Sequence, residues 1–205
     1  GWAFPFPIRQ DGARWRFDSR AGAQELIDRR IGRNELDVAQ VLRAMVEAQG
    51  EYADIMRRTT GAASYARRFT STPGQRDGLY WDTGDGEAES PLGPLAAAAA
   101  ADGYRRAADG RMQPFHGYYF HMLEGQGPSA PGGAQDYVAN GRMIGGFAII
   151  AWPARYGVSG IMTFLVNHQG QVYQANLGPN TDALARRIRL FEPGQGWTRV
   201  EPLSL

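Results

Sequence analysis

Residues 147–153 read FAIIAWP and residues 161–173 read IMTFLVNHQGQVY. The first run is apolar throughout, and the second is apolar up to Val166 except at Thr163. Apolar runs of this length are too short for ordinary helices, and they read as strands buried on both faces. Asn167-His168-Gln169-Gly170 closes a short hairpin between them and a third strand over 172–177, with Gly170 able to take a left-handed conformation. Upstream, residues 117–123 carry aromatic and aliphatic side chains on both sides of the pleat. Asn140-Gly141, set between Tyr137-Val138 and Met143-Ile144, is a strong type I′ hairpin signal. The last third of the chain is therefore expected to be an antiparallel meander, followed by a helix from Thr181 to about Leu190. Trp197, Val200 and Leu203 form a tail that packs back.

A sheet apolar on both faces needs cover, and a helix is available to supply it. Val38, Val41, Leu42, Met45, Val46, Tyr52, Ala53 and Met56 keep helical spacing, while Glu35, Arg43, Glu47, Gln49, Glu51 and Asp54 occupy the other face. A shorter helix precedes it over 21–31, capped by Asp18 and Ser19. Gly32 is expected to weaken that helix, and Asn34, with Asp37 three residues on, to cap the new one.

The chain opens on a hairpin. Trp2, Phe4, Phe6 and Ile8 alternate with small residues or proline, Asp11-Gly12 is a turn, and Trp15 and Phe17 alternate with arginine. Pro5 and Pro7 make the first strand an edge. A lone hairpin is marginal in water, so it is expected to dock on the rest of the chain or, more readily, on an upstream domain. The start at Gly1 suggests processing or trimming. Residues 59–114 read as an inserted segment, rich in turn residues up to Ser90 and then helical from Pro91 to about Arg106 around six consecutive alanines. Its removal is expected to leave helix and sheet folded. The fold class is thus α+β: a long N-terminal amphipathic helix on a C-terminal antiparallel meander, with a helical and loop insertion and an N-terminal β-hairpin. The expected division is a hairpin at 1–19 and an α+β domain at 20–205.

Composition excludes more than it assigns. The 205 residues carry 22 basic and 21 acidic side chains, a net charge of +1, which speaks against an electrostatic nucleic-acid binder. Every basic residue is arginine and there is no cysteine. Schiff-base lysines, P-loop lysines, thiol nucleophiles and cysteine-bound metals are therefore ruled out. The longest apolar stretch, 145–152, falls far short of the roughly 20 residues of a spanning helix.

Two resemblances emerge from these stretches. AQVLRAMVEAQGEYA at 39–53, followed by GYYF at 117–120, FAIIAWP at 147–153 and IMTFLVNHQGQVY at 161–173, resembles the helix-on-meander order of a bacterial pseudopilin or pilin-like head. That likeness implies a pilin-like fold for about half of the chain and skips the insertion. No apolar assembly helix stands in these residues, so filament formation is not implied. The phrases WAFPFPI (2–8), RRIGRNE (29–35), STPGQRDGLYW (71–81), SPLGPL (90–95), HGYYF (116–120) and NGRMIGGFA (140–148) resemble a bacterial family known as domain of unknown function 2950. The likeness runs nearly end to end. It implies an exported protein, periplasmic or secreted, with an upstream domain before WAFPFPI, and brings no catalytic residue or cofactor.

Candidate chemistry is sparse. His116 and His121, on one expected strand, point to opposite faces, and His168 lies in a loop. Ser159, in Gly157-Val158-Ser159-Gly160, misses the nucleophile-elbow spacing, and it and Ser129 read as turn serines. Asp82, Asp85 and Glu87 punctuate a glycine-rich loop that could gather Ca²⁺, although their order is not that of an EF-hand. No other cofactor is expected. His116, Tyr118, Tyr137, Asn140, Arg142 and Tyr156 form a polar and aromatic set around the sheet's connections, of the kind that recognition surfaces use. Arg142 could offer its planar fork to a carboxylate or phosphate, or pair with Asp136. These observations suggest a non-catalytic binding or assembly module of the envelope, with an envelope protein or a second copy as partner. The alternative is a small-ligand receptor or enzyme whose pocket lies between the inserted helix and the sheet, with Arg142, Tyr118 and His116 at its polar end.

Overall fold

The computed structural model describes residues 3–84, 86–101 and 113–201. β1 (Ile8–Asp11) and β2 (Arg14–Phe17) form the expected hairpin. It docks on the helix that follows, not on the sheet. Asp18 N–H donates to the Pro7 carbonyl at 2.8 Å, and the Arg29 guanidinium to the Ala3 carbonyl at 2.7 Å. Phe6 lies against Gly22, where a Cβ would collide with its ring. One face of the hairpin stays open: Phe4, Ile8, Trp15 and Phe17 are each more than half exposed.

α1 (Ser19–Thr60) is a single helix of 42 residues, capped by the Asp18 carboxylate and ended by Gly61 in the left-handed region at φ 78°. The break expected at Gly32 does not occur. A glycine inside a helix costs about 1 kcal/mol, and packing at Ile31 and Val38 on either side outweighs it. Asn34 does not cap a second helix either, because its amide donates to the Ser159 carbonyl at 2.8 Å. Apart from Gly22, the buried positions of α1 run from Ile31 to Ala53. The first three turns therefore project beyond the core, with the hairpin attached. Gln49 departs from the solvated face assigned to it. It is fully buried, and its amide exchanges two 2.8 Å hydrogen bonds with the Ala66 backbone.

After α2 (Gly93–Ala101) the chain builds the sheet. β3 (Tyr118–Leu123) leads to two small ladders, β4 (Gly125–Gln126) with β5 (Gln135–Asp136) and β6 (Val138–Ala139) with β7 (Arg142–Met143). β8 (Ala148–Pro153), β9 (Met162–Asn167) and β10 (Val172–Asn176) follow, then α3 (Thr181–Ala185) and β11 (Thr198–Arg199). The main sheet is antiparallel and five-stranded, in the order β11-β10-β9-β8-β3. The β6–β7 hairpin forms at Asn140-Gly141, whose φ values of 51° and 76° suit a type I′ turn. It stands outside the main sheet, because β3 takes the place beside β8.

Register explains the double burial of the decisive runs. Residues directly opposite in an antiparallel pair share a face. Met122, Ile149 and Val166 therefore lie together, as do Phe120, Ala151 and Phe164, and the Met122 sulfur meets Gln49 of α1. Ile150, Trp152 and Leu165 lie on the other face, where the Trp152 indole N–H donates to Asp182 of α3 at 2.9 Å. Segment 59–114 is part of this core: Ala66, Leu79, Trp81 and Leu92 are buried in the same cluster as α1 and the strands. The helix at 181–190 is shorter than expected, closing at Ala185, and the end of the expected inserted helix (102–106), with Trp2 and Leu203, lies outside the described residues. No helix among the described residues is long and apolar enough to cross a membrane.

Candidate functional site

His116, Tyr118 and Tyr156 sit at one end of the sheet, against the first half of α1. His116 is not in the strand. With Gly117 it forms a tight turn in which both residues are left-handed, at φ 47° and 75°, closed by paired Phe115–Tyr118 backbone bonds. Its Nδ1 lies 3.2 Å from the Asp37 carboxylate. Tyr118 is wholly buried and donates to the Met162 carbonyl at 3.0 Å. Burial first, and the Glu35 charge second, push its hydroxyl far above the ordinary tyrosine range. Glu35 accepts from the Ile161 and Met162 N–H groups at 2.8 and 3.0 Å. Tyr156 donates to Asn176 at 3.1 Å. Ser159 exchanges bonds with the Arg155 backbone, as a turn serine does. This end is a seam joining helix to sheet, with its donors committed to protein acceptors.

Tyr137 occupies the core beyond β5. Its hydroxyl donates to the Gln126 side chain at 2.7 Å, and the Gln126 amide donates onward to the Pro131 and Gly133 carbonyls. Burial pushes the Tyr137 hydroxyl up to about 12. Its ring meets His168 edge-on. Burial lowers the His168 imidazole below its ordinary range, and Nδ1 has no hydrogen-bond partner among the described residues. These groups give the core a polar inlay, and they line none of the cavities described below.

Asn140 and Arg142 lie elsewhere, on the β6–β7 hairpin beside the last turns of α1. At 1.5 Å per residue, Asp37 and Tyr52 are separated by roughly 22 Å along the helix. The six candidates are therefore not one site, and Arg142 does not share a polar end with His116 and Tyr118. Arg142 instead borders a cleft of about 480 Å³ lined by Tyr52, Met56, Ser64, Tyr65, Arg67, Arg68, Asp77, Glu124, Gly141 and Met143. That volume lies within the usual range for small-ligand sites.

The cleft's electrostatics follow from who pairs with whom. Arg67 holds Glu124 at 2.6 Å, and Arg68 lies 3.4 Å from Asp77. The Thr72 backbone N–H, with its hydroxyl, keeps the Asp77 carboxyl below the usual carboxylate range. Arg142 does not pair with Asp136. Its Nη2 donates to the Ala62 carbonyl at 2.9 Å and more weakly to Ser64 Oγ at 3.4 Å, and among the described residues it has no carboxylate partner. Three cations thus face two anions. Burial and the Asp77 charge raise the Tyr52 hydroxyl, opposed by Arg142, so all three groups share one field. Sequence reading found Arg142 through its turn and residue type. It missed Tyr52 and Ser64, which carry no local signal.

Of the Ca²⁺ candidates, Asp85 lies outside the described residues. Asp82 accepts from Tyr80 at 2.8 Å, and Glu87 lies 3.3 Å from Arg76. The described residues bring no three histidine or carboxylate groups together as metal ligands.

Compared with known proteins, the chain matches one family model over residues 1–200, described as a protein of unknown function (DUF2950). No curated protein and no solved structure matches it.

Proposed function

Since the chain belongs to the DUF2950 family, which brings no activity with it, we propose from its own geometry that it is a non-catalytic binding module of the bacterial envelope, with the Arg142 cleft as its recognition site. The observation that carries this reading is a guanidinium held in place by a backbone carbonyl and bordering a cleft whose two carboxylates are each paired with another arginine. Arginine in a fixed orientation is a common anchor of recognition surfaces. The cleft is walled by α1, by the 62–77 segment and by the β6–β7 hairpin. The receptor alternative thereby acquires a different wall from the one expected, because the start of the insertion frames the cleft and α2 does not.

The pilin-like reading is supported by order and layering: one long helix across an antiparallel sheet of sequential strands. Export to the periplasm or beyond, and an envelope protein or second copy as partner, rest on the resemblances. Ca²⁺ at Asp82, Asp85 and Glu87 stays a minor part of the proposal. Native mass spectrometry on freshly purified protein, before and after chelator, tests the whole. A retained organic mass that disappears in Arg142→Ala is the expected result. A retained mass indifferent to Arg142, or one lost with chelator, would move the function away from this cleft.

A further inference from the structure

We infer that the Arg142 cleft takes a small organic monocarboxylate, whose carboxylate meets the Arg142 fork and whose apolar body lies along Met56, Tyr65 and Met143. The inference rests on the binding-module reading and deepens it by naming the ligand's chemistry.

Charge comes first. Arg67 and Arg68 are matched by Glu124 and Asp77, so the cleft's surplus is a single positive charge at Arg142. One charge calls for a monoanion. A phosphate dianion would face two fixed carboxylates in the same lining and only one unmatched cation. Geometry agrees. The Ala62 carbonyl takes one Nη2 hydrogen at 2.9 Å, and Ser64 Oγ holds the other only weakly at 3.4 Å, so a carboxylate that displaces Ser64 there spans Nη2 and one neighbouring nitrogen as a fork. A guanidinium already anchored by one strong hydrogen bond loses little freedom when it binds a planar carboxylate through the remaining fork. Ser64, buried at 7% exposure, accepts from Arg142 in its described bond and so keeps its hydroxyl proton to donate. Tyr52, by contrast, spends its proton on the Arg76 carbonyl at 2.9 Å. It can only accept from a ligand. Beside these polar groups the lining has Met56 and Tyr65, both partly exposed, over Met143 of β7, which is fully buried. Binding there rewards a hydrocarbon body as well as a charge.

The test uses the whole chain and three probes of one shape: benzoate, benzamide and phenyl phosphate, titrated against backbone amide NMR signals. Benzoate is expected to shift the signals of Ser64, Tyr65, Arg142 and Met143 saturably, with benzamide silent and phenyl phosphate weaker. Arg142→Ala should weaken benzoate at least about tenfold, the scale of one lost charged hydrogen bond. It should move the melting temperature by no more than about 2 °C, as for a surface substitution. Arg142→Lys, which keeps the charge and loses the fork, should also bind poorly. Equal shifts from benzamide would overturn the carboxylate inference while leaving the cleft a binding site. Tighter phenyl phosphate would overturn the monoanion. Benzoate shifts that ignore Arg142→Ala, or no saturable shift at all, would overturn the assignment, with retained mass in native spectra then deciding the broader reading on its own.

Discussion

Gln49 shows how one side chain can join two parts of a fold. Its amide gives the Ala66 backbone both a donor and an acceptor, as a neighbouring strand would, in the buried core. Gln49→Leu keeps the volume and removes both bonds, leaving the Ala66 N–H and carbonyl buried without partners. The expected cost is about 2–4 kcal/mol, readable as a lower denaturant midpoint with an unchanged slope. His168 offers a second test at this scale. Burial holds its imidazole below the ordinary value of 6.5 in the folded chain. The unfolded chain therefore takes up the proton first, so this residue costs nothing above about pH 6.5 and costs stability as pH falls below it. Melting temperature should decline between pH 7 and pH 5, and more shallowly in His168→Asn. An identical slope in that variant would assign the pH dependence to other groups.

At the scale of elements, α1 combines a tightly packed middle with a projecting start. Gly32 lies where an added Cβ would meet nothing within 4 Å, in ordinary helical conformation. Gly32→Ala should therefore stabilise the protein by about 0.5–1 kcal/mol. An unchanged midpoint would mean that this part of α1 frays before the core unfolds. Gly22 is the opposite case, since any Cβ there runs into Phe6. Gly22→Val should push the hairpin off the helix, exposing 3–17 to proteolysis while the main melting transition stays within a few degrees. That separation is expected because the hairpin's described contacts are with the first turns of α1, beyond its buried span. Gly32 and Asn34 looked like a stop and a start, and a helix boundary read from the sequence would have fallen there. Packing at Ile31 and Val38, and the bond from Asn34 to a loop 125 residues away, carried the helix through.

The whole molecule is more integrated than its sequence suggests. Segment 59–114 reads as an insertion, yet Ala66, Leu79, Trp81 and Leu92 belong to the core and Ala66 is clamped by α1. Deleting it should abolish cooperative melting; a deletion that melts sharply would show that the sheet and α1 suffice. What the sequence by itself determined was local: β8 and β9 as strands buried on both faces, the Asn140-Gly141 turn, the amphipathic run of α1 and the presence of an N-terminal hairpin. These follow from side-chain periodicity and from conformations that two adjacent residues can adopt unaided. Only the tertiary structure decided that α1 is unbroken, that Gln49 is buried, and that His116 and Tyr118 lie beside the middle of the helix and Arg142 beside its last turns. The reason is physical. A free guanidinium and a satisfied one have the same neighbours in sequence, and the difference lies in whether a carboxylate from elsewhere in the chain arrives beside it.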